Sequence, residues 1–171
     1  MSIAPPTLVG FQNFMLNVMG ITDTILPPTT PVVEMAYDIA IDIVNLQLNV
    51  ASPDIYTLAV YNLAGSNIIN YAQDQVFTQA TAPPGSTLLP DGTLLYLNNL
   101  PFFAYTRHSF GTLGIAQGVI QSSSDVSTSE SMVVPEWAKE LTMADLQYRK
   151  DPWGAHYLAL AQRYGTIWGL N

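Results

Sequence analysis

Three times in this chain a small polar residue stands directly before a proline and opens a stretch of helical spacing: Thr30-Pro31, Ser52-Pro53 and Asp151-Pro152. Proline suits the first helical position because the N–H it lacks has no intrahelical partner there. The residue before it can accept from the free amides that follow. The first signal predicts a helix over about 31–50, with Val32, Met35, Ala36, Ile39, Ile43 and Leu46 on one side and Glu34, Asp38, Asp42, Asn45 and Asn49 stepping down the other. The second predicts a helix over about 53–73 with Tyr56, Ala59, Val60 and Leu63 as its apolar stripe. Asn62, Ser66, Asn70 and Gln73 form a further stripe that is polar but uncharged, suited either to solvent or to another subunit, since such groups hydrogen-bond in both settings. The third opens a terminal helix on which Tyr157, Leu160, Ala161 and Tyr164 share a face and Gly165 is placed to end it.

The segments between are read from the same local chemistry. Pro5-Pro6-Thr7 can start a helix carrying Leu8, Phe11, Met15 and Val18 as far as Gly20, with 21–30 as a connector. After Gln75 the turn signals Pro83-Pro84-Gly85-Ser86 and Pro90-Asp91-Gly92 predict a long loop or extended arm. A short helix can begin within Leu100–Tyr105 and end before Gly111. Ile115–Gln121 and Thr128–Val134 bracket Ser122-Ser123-Ser124-Asp125 and read as a β-hairpin. Thr142-Met143-Ala144-Asp145 resembles a capping box with Asp in place of Glu. The expected fold is mainly α: a helical bundle with a long extended arm or loop, a small β-hairpin, and a C-terminal helix and tail. It forms one domain over 1–171, divided into a helical core (1–75), an arm (76–114), a hairpin (115–134) and C-terminal helices with a tail (135–171).

Composition bounds what such a bundle can do. Hydrophobic residues make up 49% and charged residues only 11%, so Asn, Gln, Ser and Thr must supply most of the solvated surface. That surface is poor for a free monomer and suits a chain that meets lipid or other subunits. Lipid is disfavoured because the most apolar segment, Pro31–Val50, carries Glu34, Asp38 and Asp42, each costly in hydrocarbon, so no membrane partner is expected. Met1–Pro6 lacks the basic and apolar regions of a secretory signal. All five basic residues, Arg107, Lys139, Arg149, Lys150 and Arg163, fall in the last part of the chain, whereas residues 1–106 hold seven acids and no base. Gripping nucleic acid requires clustered Lys or Arg, so the first half can only repel it.

Groups for catalysis are scarce. With no cysteine there is no disulfide, thiolate metal site or thiol nucleophile. His108, read in a loop, and His156, on the last helix, match no metal-ligand spacing, and neither a nucleophile elbow nor a phosphate-binding loop occurs. Glu34, Asp38 and Asp42 share a helical face and could act as acid and base or hold a hard cation, but the next helix offers no matching ligands. A solvated face and a face turned to a water-filled space shared by several subunits are the other readings. No catalytic residue, metal or cofactor is expected.

The last third narrows the choice. Ser122–Asp125, Thr128–Val134, Leu141-Thr142-Met143-Ala144-Asp145-Leu146-Gln147, and Asp151-Pro152-Trp153-Gly154-Ala155-His156-Tyr157-Leu158 with Gly165 and Trp168-Gly169 together resemble the C-terminal part of tailed-bacteriophage head-to-tail connector proteins of the adaptor, or head-completion, type. The likeness covers roughly 111–171. It implies a structural virion protein, assembled in the host bacterial cytoplasm, that forms a ring of about a dozen copies between the portal protein and a tail or nozzle protein. Genomic DNA would pass through the ring without specific binding. The resemblance further implies portal contacts at Tyr164, Ile167, Trp168, Leu170 and Asn171, with Trp168 folding back into the core as the other possibility. Tyr96, Phe102, Phe103 and Tyr105 become candidates for contact with a neighbour or the tail, and Glu34, Asp38 and Asp42 for lining the channel. The competing reading from another class is a small helical ligand-binding module with an apolar interior.

Overall fold

The computed structural model describes residues 5–78, 82, 87–96, 100–113, 123–125, 128–130 and 147–164. Among them are six helices: α1 (Leu8–Asn17), α2 (Pro31–Ile43), α3 (Gln47–Ala51), α4 (Pro53–Tyr71), α5 (Phe102–Leu113) and α6 (Pro152–Arg163). Two three-residue strands, β1 (Ser123–Asp125) and β2 (Thr128–Glu130), pair antiparallel with Ser124 opposite Ser129. The protein is mainly helical, as its local signals predict.

The core is built around α4. Its sequence is apolar or small on nearly every side, and it is covered on nearly every side: Tyr56, Ala59, Val60, Leu63, Ala64, Ile68 and Ile69 are all buried. The other five helices all pack on it. The prolines stand where expected, with Pro31, Pro53 and Pro152 in the first turns of α2, α4 and α6, but only Asp151 caps with its side chain; Thr30 and Ser52 make no side-chain cap bond. Helix α1 starts one step later than Pro5-Pro6 alone would place it. Thr7 is its cap, and its hydroxyl oxygen accepts from the Gly10 N–H at 3.0 Å. The helix ends at Asn17 with Val18 as its cap, and Gly20, with a φ of 70°, then lets the Ile21 N–H return to the Met15 carbonyl.

Three sequence expectations are corrected. The helix expected over 31–50 is two helices, because the Asn45 side chain accepts from the Gln47 N–H at 2.8 Å and turns the backbone at Val44–Leu46. The apolar side expected for it is largely the wrong one. Helix α2 buries Val33, Ala36, Tyr37 and Ala40, while Met35, Ile39, Ile43 and Leu46 stand in solvent. Most of the uncharged polar stripe of α4 is turned inward, since Asn62 and Ser66 are buried within this chain and Asn70 is half-buried against Asp151, while Gln73 past the helix end is exposed.

The described part of 76–96 folds back on itself. Phe77 N–H donates to the Gly92 carbonyl, Leu95 N–H to Thr87, and the turn at Pro90-Asp91-Gly92 is closed by Gly92 N–H on Leu89. Asp91 accepts from the Thr93 amide and hydroxyl, and these bonds hold its carboxyl below the ordinary range. Helix α5 then occupies 102–113, running through Gly111 where an end was expected, and His108 lies exposed on this helix and not in a loop. Residues 123–125, expected in a turn, are paired strand. The remaining parts of the expected hairpin arms, Ile115–Gln121 and Ser131–Val134, and the capping box at 142–145 lie outside the described residues.

Candidate functional site

Helix α2 divides into three sectors. At about 100° per residue, the buried residues Val33, Ala36, Tyr37, Ala40 and the adjoining Val44 form one arc against the core. Glu34, Asp38 and Asp42, all exposed, form a second arc nearly opposite it. Met35 (50% exposed), Ile39 (38%) and Ile43 (48%) run down the flank between, and Leu46 (64%) and Val50 are exposed beyond the turn that ends the helix. The inner arc is dry: burial first, then the nearby Tyr61, Tyr56 and Asp38, push the Tyr37 hydroxyl up to about 12.

A second apolar surface lies elsewhere on α4. Phe14 and Val18 of α1 and its C-terminal end, Leu58 and Asn62 of α4, and Pro152, Trp153 and His156 of α6 line an open groove of about 230 Å³. Leu58 and Val18 are exposed there, while Trp153 is held edge-on to Phe110 at 5.9 Å. A smaller hollow of about 180 Å³ lies between the 22–25 connector and the folded-back segment, bordered by Tyr96, Phe102 and Asp74. Both are smaller than the roughly 300–1,000 Å³ usual for a small-molecule site.

The groove is fixed by a buried polar junction that sequence reading missed. Asp151 caps α6 by accepting from the Gly154 N–H at 2.8 Å, and its other oxygen accepts from Ser66 Oγ at 2.7 Å and from Asn70 Nδ2 at 3.3 Å. Burial raises the Asp151 carboxyl above its ordinary value, and the hydrogen bonds from Gly154, Ser66, Asn70 and the Trp153 amide oppose that rise without cancelling it. Gly154 is required by the same junction. A Cβ there would collide with the Tyr148 carbonyl oxygen and come within 2.8 Å of Ser66 Oγ. Thus the Asp-Pro-Trp-Gly-x-x-Tyr-Leu run has a packing rationale: cap, first turn, groove wall, close contact, then two buried side chains, Tyr157 and Leu158.

Of the four arm aromatics, Tyr96, Phe102 and Tyr105 do come together, with Tyr96 5.1 Å from Phe102 and 5.7 Å from Tyr105 by ring centroids. Tyr96 is 44% exposed and remains available for contact. Phe103 does not: it is fully buried in the core, because Asp74 accepts from its N–H at 2.8 Å and sets the start of α5 against α4. Arg107, the first base in the chain, is engaged with backbone, Nε donating to the Ile69 carbonyl at 2.8 Å and Nη2 to that of Ala72. It closes the C-terminal end of α4, where a cation is favoured. Tyr164 is half-buried and packs on the core cluster, with Arg163 over its ring, and Ile167, Trp168, Leu170 and Asn171 lie outside the described residues.

Among the described residues no group of three or more His, Cys, Asp or Glu side chains could hold a metal ion, and no helix is long and apolar enough to cross a membrane. Among the described residues the helical fold thus leaves two exposed apolar surfaces, the α2 flank and the groove between α1, α4 and α6. Comparisons of the chain with protein-family models, curated proteins and solved structures found no match.

Proposed function

We propose that this chain is a structural virion subunit that closes with copies of itself into a ring of about a dozen, joining a phage portal vertex to the tail and surrounding the passage for DNA. The observation that carries this reading is the three-sector surface of α2. A ring subunit needs one side for its own core, a flank for its neighbour and an edge toward the lumen. Val33/Ala36/Tyr37/Ala40, Met35/Ile39/Ile43/Leu46 and Glu34/Asp38/Asp42 match those needs in turn. A carboxylate edge repels phosphate at the short range that salt leaves unscreened, so DNA would slide without sticking.

Magnitudes favour a ring over a simple pair. The exposed fractions of Met35, Ile39, Ile43 and Leu46 amount to about two whole side chains, which gives roughly 3–6 kcal/mol on burial. Association itself costs an estimated 4–15 kcal/mol. One such contact is marginal, whereas a closed circle makes the last contacts intramolecular and lets each copy hold two neighbours. In this reading Tyr164, Ile167, Trp168, Leu170 and Asn171 dock on the portal, and Tyr96, with Phe102 and Tyr105 beside it, meets a neighbour or the tail.

Electron microscopy of particles carrying a tagged chain tests the proposal. Density for the tag as a ring between portal and tail supports it, and particles that assemble and infect normally without the chain would refute it.

A further inference from the structure

We infer that the apolar row of α2 in one copy seats in the α1/α4/α6 groove of the next copy, a head-to-tail contact between two different faces. The inference rests on the ring reading and adds which surfaces meet. Helix α6 covers the side of α4 that carries Gly65, Ser66 and Asn70. The fully buried Val60, Leu63, Ala64 and Ile68 of α4 need other cover, and α2 and α3 pack on α4 to supply it. The two faces therefore lie on different sides of the central helix. Two unlike, mutually complementary faces on one subunit generate a ring when the rotation closes, whereas a single self-complementary face would stop at a pair.

Shape and charge both select a second copy as the occupant. The α2 face presents the exposed aliphatic side chains Met35, Ile39 and Ile43, with Leu46 beyond its end, and the groove is an apolar trough between helices. Beside the ridge run three exposed carboxylates, Glu34, Asp38 and Asp42. On the α6 side of the groove, Lys150 and Arg163 are exposed at the two ends of α6, against one exposed carboxylate, Asp54, a turn below Leu58. The α2 row is thus edged by acids, whereas the helix that walls the groove carries bases at its two ends, which steers copies head to tail and opposes pairing of one acidic α2 face with another.

The chain contains no cysteine, so single thiols can report the contact without background. Ile43→Cys marks the ridge and Val18→Cys the groove, and both native side chains are exposed, so the fold should survive, as circular dichroism would verify. With a short thiol-reactive cross-linker, a mixture of the two variants should give a mixed dimer at least about tenfold more than either variant alone, and the doubly substituted chain should give a ladder. Efficient cross-linking of Ile43→Cys to itself would mean that ridge meets ridge and overturns the inference. So would a Val18→Cys thiol protected from modification in the dilute monomer, because the groove would then be filled by the chain's own residues. Native mass spectrometry of the same samples separates the two levels. Multimers without the mixed cross-link overturn only this pairing of faces, and monomers throughout, with portal protein present, overturn the ring reading as well.

Discussion

Replacing Gly154 with alanine offers a test whose sign is fixed by the structure. On helix propensity alone Gly→Ala within a helix stabilises by about 0.8–1 kcal/mol, and loss of unfolded-state freedom adds to that. Here the new Cβ would meet the Tyr148 carbonyl oxygen and approach Ser66 Oγ to 2.8 Å. One neighbour is backbone, so α6 must move away from α4. That movement stretches the 2.7 Å bond from Ser66 Oγ to Asp151, which is buried at both ends. Overpacking of this kind costs about 1–3 kcal/mol, and a buried polar group left without its partner costs about 1–3 kcal/mol more. After the propensity gain, Gly154→Ala should lose roughly 1–5 kcal/mol. At about 2–4 °C per kcal/mol for a chain of this size, Tm should fall by about 2–20 °C. Urea unfolding followed by circular dichroism reads the change directly. A variant equal to or more stable than the parent would refute the close packing of α6 on α4.

Other perturbations follow from the same contacts. Burial raises the Asp151 carboxyl in the folded chain, so the folded state binds that proton more tightly than the unfolded one, and the resulting stability is fully present below the ordinary carboxylate range and lost as pH rises through the raised value. Asp151→Asn removes this loss, so its stability relative to the parent should rise as pH climbs above the ordinary carboxylate range, and a pH-independent difference would contradict the buried carboxyl. Arg107→Ala removes the donors to the Ile69 and Ala72 carbonyls and should cost about 1–3 kcal/mol, with faster hydrogen exchange confined to the last turn of α4. Uniform acceleration along α4 would argue against a capping role. Asp38→Lys with Asp42→Lys reverses the sign of the proposed channel edge, so particles carrying it should release DNA more slowly, and release at the parental rate would count against a lumen-facing α2.

What the sequence disclosed and what it hid divide along a physical line. Helix starts were readable because Thr30-Pro31, Ser52-Pro53 and Asp151-Pro152 act through their own backbone. The inner face of α2 was not, because apolar residues occupy both Val33/Ala36/Ala40 and Met35/Ile39/Ile43, and periodicity cannot say which set meets α4. Counting Tyr37 as apolar would have pointed to the correct arc. The polar stripe of α4 was misread because its partner, Asp151, lies 85 residues from Ser66 in the chain. Phe103 reads as an arm residue from sequence because nothing local reveals that Asp74 caps the helix that buries it. The break at Val44–Leu46 did have a local signal, the Asn45 side chain, that the strong periodicity around it masked. The exposed apolar flank on α2 was thus legible only as a list of hydrophobic residues, and became a surface once the core was known.

The central claim is that this polypeptide is one segment of a circle of identical copies. The most direct measurement is the native mass of the chain incubated with portal protein across a wide concentration range. A single closed species of about a dozen copies, with no open series beyond it, is the predicted result. A chain that stays solitary on and off the portal at every concentration would contradict it.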